Sequence, residues 1–527
     1  MKRARCMEPR ITAVVFGTCA SLACSVPALA VDRSLGADVP KPAVTGTPWT
    51  DAEIAALDAG VDLALAGAKT LRGAHVGIYV IDARDGRVLY ERNGDDAFAP
   101  ASTFKLLVGS AALERLGPQF RFRTDVVADG PVENGVLQGS LVLRGGGDPF
   151  LSAADLEAAA EAVAKAGITG SKDVVIDDAH FETPGYLPGW SWDDFPYYYA
   201  PVVSALSLER NVVHLTIAPG AAAGAPARVT AAPIGHVGFP VEGCEIATVA
   251  VRIVPAVTTA PASGKNTVDL VRRRSGCITV TGTVPLGATP DDVDAAVPSP
   301  AAYAHDVFAD ALERRGVHLL RAIGGHAEWP RLEEHRLAWS RLPNAKVVWA
   351  HDSEPLGDVL ADMWLASDNL AAELLLRELG FAQDGAPGTT EHGVAVEKTW
   401  LKQLGVDTDA LALEDGSGLS VYDRITPRDL VVILKHDWDG PNRDLILDDL
   451  PIAGVRGTLK SSFTGTPAEK HVFAKTGTLS HVSALAGYVA NAKHGAVIFA
   501  FQVDDWVGAS ADLRELRGRV LSQFVER

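Results

Sequence analysis

The chain has 527 residues, 47% of them hydrophobic and 22% charged, and a formal net charge of −18. This is a globular balance with room for two or more domains. The excess of acid argues against nucleic acid or an anionic membrane surface as the main partner.

Residues 1–30 combine Lys2, Arg3, Arg5 and Arg10 with an apolar run from Ile11 to Ala23 and the triplet Ala28-Leu29-Ala30. This is the pattern of a secretory signal peptide cleaved after Ala30. The run is shorter than the ~20 residues a membrane-spanning helix needs, and no later stretch is long and apolar enough to span. The mature protein is therefore expected to be exported, periplasmic or extracellular, with no integral membrane segment. Cys6, Cys19 and Cys24 leave with the signal. The remaining Cys244 and Cys277 are expected to pair, as two cysteines of an exported protein do, closing a 33-residue loop worth roughly 3–4 kcal/mol. No cysteine and histidine cluster points to a metal, and no cofactor is expected.

A Pro-rich linker, 31–48, leads to Thr50 or Asp51, either of which can cap a helix carrying Ile54, Leu57, Val61, Leu63 and Leu65. A hairpin follows, from His75 to Ile81 and from Val88 to Tyr90, turning at Asp85-Gly86. Ala101-Ser102-Thr103-Phe104-Lys105 then opens a helix that stops at Gly117-Pro118. Three residues apart, Ser102 and Lys105 share a helical face. A serine hydroxyl needs a base within hydrogen-bond reach to act as nucleophile, and an unprotonated Lys105 can serve. Burial and a second nearby cation both favour the neutral lysine.

Further on, Val136 to Leu143 reads as one strand, Gly145-Gly146-Gly147-Asp148-Pro149 as a turn and Ala153 to Ala166 as a helix. No Gly-Lys-Ser or Gly-Lys-Thr follows the glycines, so a nucleotide loop is not expected. The stretch 212–286 is rich in Val, Thr, Ala, Gly and Pro without a helical period and reads as a small β-rich module. Helical signals return at Ala301 to Arg315. Ser353 is a candidate cap for a helix that runs to the Ser367-Asp368-Asn369 turn, and a second helix runs from Asn369 to Leu379. Lys475-Thr476-Gly477-Thr478 lies on a strand ahead of a hairpin formed by Ser483–Ala490 and Ala496–Val503, and a helix with Leu513, Leu516, Val520, Leu521 and Phe524 on one face ends the chain.

Ser-x-x-Lys alone is weak, since a chain this long holds about one by chance. Here it is joined, in order, by a single Ser-x-Asn at Ser367 and a single Lys-Thr-Gly at Lys475, the order used by penicillin-recognising serine enzymes. With these motifs, and with Gly145-Gly146-Gly147-Asp148-Pro149, Ser204-Ala205-Leu206-Ser207-Leu208-Glu209-Arg210-Asn211, Ser367-Asp368-Asn369-Leu370-Ala371-Ala372-Glu373 and Asp415-Gly416-Ser417-Gly418-Leu419-Ser420, the chain resembles the three-domain, low-molecular-mass penicillin-binding proteins that are D-alanyl-D-alanine carboxypeptidases and endopeptidases. The resemblance covers nearly the whole mature chain.

It implies an α/β, transpeptidase-like catalytic domain, an antiparallel sheet with helices, interrupted by two nested inserted domains of which the inner is β-rich. The expected division is 49–118 with 335–527 for the catalytic domain, 119–211 with 287–334 for the first insert, and 212–286 for the nested one. By the same resemblance Ser102 is the nucleophile on peptidoglycan stem peptides or cross-links and Lys105 its base. Ser367 and Lys475 relay a proton, and Asn369 offers its amide to a substrate carbonyl. Thr476, Gly477 and Thr478 hold substrate beside the oxyanion, β-lactams inhibit, and Asp148 meets an amino group of the stem peptide. One departure is Val421, where such proteins commonly carry Arg; the nearest arginine is Arg424. A β-lactamase-like hydrolase and an inactive peptidoglycan-binding scaffold stay open as alternatives, as does the oligomeric state.

Overall fold

The computed structural model describes residues 38–182, 186–234, 246–247, 250–273, 277–320 and 345–527. The expected signal peptide, the linker up to residue 37 and Cys244 lie outside them. In chain order the helices and main strands begin with α1 (Asp51–Ala66), β1 (His75–Asp82), β2 (Val88–Arg92), a 3₁₀ turn (Ala101–Phe104) and α2 (Lys105–Leu116). Next come β3 (Arg123–Asp129), β4 (Leu141–Arg144), α3 (Ala153–Lys165), β5 (Val174–Asp177), β6 (Val212–Ala218), β7 (Arg228–Ala232), β8 (Asp291–Ala296), α4 (Pro300–Arg314) and β9 (Ala345–Asp352). The chain closes with α5 (Leu356–Leu365), α6 (Asn369–Asp384), α7 (Thr390–Gln403), α8 (Pro427–Asp439), α9 (Arg443–Asp449), β10 (Val472–Leu479), β11 (Val482–Asn491), β12 (Gly495–Asp504) and α10 (Ser510–Glu526).

The catalytic half is an antiparallel sheet in the order β2-β1-β12-β11-β10, so strands from both ends of the chain share it. Alternation along β1 sends Val76, Ile78 and Val80 to one face, under α1 and α10, and Tyr79 and Ile81 to the other, under α2 and α5 to α8. Thr50 caps α1 in a reciprocal box with Glu53. Leu57, Val61 and Leu65 are buried, while Leu63 is 76% exposed, because i, i+4, i+8 spacing leaves Leu63 on the far side of the helix. The terminal helix buries all five of its expected apolar residues.

The first insert is a second sheet, β9-β3-β4-β5. Parallel β4 and β5 are joined across α3, since parallel neighbours need a crossover. Residues 345–352, expected in the catalytic segment, pair along β3 and so belong to this sheet. The single strand expected from Val136 to Leu143 is in fact two: Val136–Leu137 pairs with Val132–Glu133, while β4 joins the other sheet. Gly139 makes the break, passing so close to Asp129 O that a Cβ would lie 1.5 Å from it. Inside this insert β6, flanked by β7 and β8, and short strands at Arg252–Pro255, Asp269–Arg272 and Ile278–Thr281 form the β-rich module, which holds no helix among the described residues. Cys277 is buried at the head of the last of these strands.

Ser353 does not cap α5. Its hydroxyl accepts the Phe122 N–H at 2.9 Å, stitching the insert's first strand to its return, and Pro355 occupies the cap. Among the described residues no helix is long and apolar enough to cross a membrane.

Candidate active site

Ser102 lies in the 3₁₀ turn that feeds α2, and Lys105 is the first residue of that helix. Lys105 is fully buried, and its Nζ lies 3.0 Å from Ser102 Oγ. Nζ also donates to Asn369 Oδ1 at 2.6 Å and to the Ser417 carbonyl at 2.7 Å. A neutral amine has two N–H bonds and one lone pair; the two carbonyls take the former, which leaves the lone pair for the Ser102 hydroxyl. Trp364 Nε1 donates to Lys105 O and fixes the turn from below.

Ser367 ends the link between α5 and α6 with φ +63°, and Ala101 beside the serine has φ +45°. Left-handed backbone costs a non-glycine residue about 1–3 kcal/mol, and such strain gathers at functional sites. Asp368 caps α6 through the Ala371 N–H, so this motif is a helix cap and a site at once: its central residue caps, and its flanking residues face the lysines. Lys475 Nζ donates to Ser367 Oγ at 2.9 Å and to Thr476 O at 2.9 Å. The Asn369 side-chain amide donates to Tyr199 O at 2.6 Å. One of its two N–H bonds is thus engaged with the insert, and the second remains for another partner.

β10 is an edge strand. Ala474 N–H turns outward to Pro451 O and Val472 O accepts from Ala453, so by alternation the N–H groups of Thr476 and Thr478 face outward too. Gly477 brings this edge against the serine turn: a Cβ there would lie 2.7 Å from Pro100 O and 3.0 Å from Ser102 N. The Thr476 hydroxyl lies 2.7 Å from Thr458 Oγ1, and Thr478 is exposed.

Burial drives the Lys105 ammonium down to about 8, against Asp415, Asp368 and Glu373, which favour its charge. Burial, and then the charge of Lys105, push Lys475 well below the ordinary lysine value. Desolvation is thus the main agent on both amines, and the repulsion expected from a second cation is felt at Lys475.

Three supporting residues, Glu373, Arg377 and Asp415, received no role from the sequence, although Glu373 and Asp415 lie in the stretches that carry the family resemblance. Glu373 Oε1 accepts the Gly416 and Ser417 N–H groups at 2.9 Å each, and Arg377 pairs with its other oxygen at 3.1 Å. Asp415 accepts from Ser417, Gly418 and Ser420 N–H and from Trp190 Nε1. Together they hold the loop whose Ser417 carbonyl takes Lys105. The available signal was a polar stripe, Asn369, Glu373, Arg377, at i, i+4, i+8 on a helix that is otherwise apolar as far as Arg377.

Asp148 stands outside this hydrogen-bonded cluster. It is 2% exposed, Oδ1 accepts the Phe150 N–H, and Oδ2 lies 3.4 Å from His351 Nε2. Phe150 lies under Arg210, whose guanidinium binds both Asp362 and Asp368 at 2.8 and 2.6 Å. Arg424, the arginine nearest Val421, donates to the Val421 and Asp423 carbonyls.

Residues 57–520 match the sequence profile of the D-Ala-D-Ala carboxypeptidase 3 (S13) family. The chain is an S13 peptidase. This is the family expected from the motifs, and its members are serine-type D-alanyl-D-alanine carboxypeptidases. The S13 chain is 36% identical over 436 residues to a D-alanyl-D-alanine carboxypeptidase of Actinomadura sp., covering 80% of this chain and 76% of that one. It is 26% identical over 436 residues to D-alanyl-D-alanine carboxypeptidase DacB of Haemophilus influenzae, covering 82% and 85%. The crystal structure of penicillin binding protein 4 from H. influenzae superposes with TM-score 0.71 at 23% identity, over 88% of the S13 chain and 98% of the other, which bears out the α/β fold class.

Proposed function

We propose that Ser102 is acylated by the carbonyl between the two terminal D-alanines of peptidoglycan stem peptides, or by a D-alanyl cross-link, and that water then hydrolyses the ester. The carrying observation is Lys105 Nζ, with both N–H directions taken by carbonyls and its lone pair left for Ser102 Oγ at 3.0 Å. As Oγ bonds to the carbonyl carbon, its proton passes to Lys105. The oxyanion takes the N–H groups of Ser102 and Thr478, a role supported by the close approach of Gly477 to the serine turn. Collapse breaks the C–N bond, and the leaving amine gains its proton through the Ser367 hydroxyl, backed by Lys475. Lys475, with Thr476 or Thr478, holds the terminal carboxylate without an arginine at position 421.

In this reading the protein is exported with its signal removed after Ala30, and Cys244 pairs with Cys277. The catalytic domain resumes after Asp352, where β9 leaves the insert's sheet. For Asp148 to meet an amino group of the stem peptide, His351 must turn away from it. Asp148→Ala then weakens cleavage of peptides with a free side-chain amine more than acylation by penicillin; equal losses sink that role.

The test is a time course of intact mass for the mature protein with penicillin, beside Ser102→Ala. A lasting adduct of one penicillin, absent in the variant, is expected. Penicillin consumed without an adduct would favour a β-lactamase-like hydrolase, and no reaction at all an inactive scaffold.

A further inference from the structure

Two loops beside the catalytic motifs carry an unusual amount of exposed aromatic surface. In the insert, Tyr186 is 37%, Trp192 56% and Tyr198 61% exposed; on the loop after Ser420, Val421 is 48% and Tyr422 58% exposed. The loops touch. Val421 N–H donates to Gly189 O, and a Cβ on Gly189, at φ +78°, would lie 2.3 Å from Ser420 Oγ and 2.9 Å from Tyr422. Tyr186 and Trp192 both pack on Phe195, and Tyr198 lies edge-on to Tyr199, so the two loops form one rim, which is tied to the site: Trp190 binds Asp415, and Tyr199 O takes the Asn369 amide.

The nested β-rich module braces this rim. Arg272 lies over the Tyr186 ring and donates to Ala296 O, Tyr197 hydrogen-bonds Asp269, and Tyr186 stacks on Phe195 at 3.7 Å. A cavity of about 480 Å³ opens alongside, between Tyr186 and Pro188 on one side and Glu391 and Lys398 of α7 on the other. Solvent-facing aromatics cost solubility, so a contiguous set marks a contact surface. An aromatic face beside carboxylates such as Asp193 suits a neutral, hydroxyl-rich ring, whose axial C–H bonds pack on the aromatic while its hydroxyls donate to the acids. It does not suit an anionic chain.

We propose that this rim binds the glycan strand of peptidoglycan, amino-sugar rings stacking on Trp192, Tyr198 and Tyr422, so that a stem peptide still attached to its glycan is held at Ser102. This rests on the proposed action on stem peptides and names the part of the polymer recognised beyond them. The held glycan lowers the KM of attached peptides and leaves free peptides untouched.

The experiment uses the full mature chain with Trp192→Ala/Tyr198→Ala and, as the conservative control, Trp192→Phe/Tyr198→Phe. Release of D-alanine is followed from a free pentapeptide and from uncross-linked glycan strands bearing the same pentapeptide; chitotetraose binding is followed by isothermal titration calorimetry, and penicillin acylation reports an intact site. The alanine pair is expected to raise KM for the glycan-bound substrate about tenfold or more, abolish the chitotetraose response and leave free-peptide cleavage and acylation within about twofold; the phenylalanine pair retains binding. Equal losses on both substrates, no change on either, or binding to phosphatidylglycerol vesicles in place of chitotetraose would overturn the proposal. If the unsubstituted protein is not acylated by penicillin, the reading of Ser102 has failed instead, and chitotetraose binding still judges the rim on its own.

Discussion

Glu373 reaches from the first turn of α6 to the N–H of Ser417 at 2.9 Å, and the carbonyl of that same serine holds Lys105 at 2.7 Å. Lys105, the proposed base, is thus positioned by a carboxylate to which it makes no hydrogen bond. Glu373→Ala strands Arg377 and two backbone N–H groups in a dry interior, since both side chains are fully buried. Breaking such a pair costs about 3–5 kcal/mol. Urea unfolding should show that loss, and penicillin acylation of the surviving folded protein should slow more than its binding weakens.

The amine of Lys105 sits at about 8 because it is buried. Acylation should therefore climb about tenfold per pH unit below that value and flatten above it, measured as the rate constant for a chromogenic cephalosporin. Lys105→Arg keeps the charge and should give no rising limb. The stability sign follows from proton counts. Between about 8 and 10.5 the unfolded chain holds a proton that the native lysine has lost, so the free energy of unfolding contributed by Lys105 rises with pH there and its burial penalty is complete below. A fall over that window, relative to Lys105→Met, would contradict the assignment.

Gly477→Ala places a Cβ 2.7 Å from Pro100 O and 3.0 Å from Ala101 Cβ. The strand edge must retreat from the serine turn. An overpacking cost of about 1–3 kcal/mol is expected, and acylation should fall by about a hundredfold or more, as when an oxyanion donor is displaced. Near-normal acylation in a folded Gly477→Ala protein would remove β10 from the oxyanion site.

Arg210 is the cation between Asp362 and Asp368 and also covers Phe150 of the insert. Arg210→Ala should cost about 1.5–3 kcal/mol for the lost charged hydrogen bonds. The deciding readout is hydrogen exchange: increased exchange should appear at the Ser367 turn and the 145–150 loop together. Exchange confined to one of them would mean that Arg210 does not couple insert and site.

The parts of this molecule that follow local rules could be read from the chain. The hairpin turn at Asp85-Gly86, the Thr50 cap, the apolar face of α10 and the three motifs all rest on neighbours a few residues apart. What escaped was set by distant contacts. Ser353 looks like a helix cap, yet its hydroxyl is taken by Phe122, more than 200 residues away. Gly139 breaks an apparent strand because Asp129 crosses it. Glu373 is marked locally only by its place in a polar stripe, and its duty is hidden because its partners Gly416 and Ser417 come from another loop. Asn369 was legible as a site residue, but the direction of its amide depends on Tyr199 of the insert.

The central sheet pairs β1 with β12, His75 facing Asp504. Such a pairing has very high contact order, so its loop-closure entropy must be met late. A chain emerging N-terminus first holds β1 and β2 without their neighbours until the last few dozen residues arrive, while the insert's own β3, β4, β5 and β9 are complete before then. The serine and its lysine are among the first residues made, yet they acquire the strand edge that makes them useful only when synthesis is nearly over. On the proposed mechanism, a copy cut short before β10 therefore lacks the edge that completes the oxyanion site.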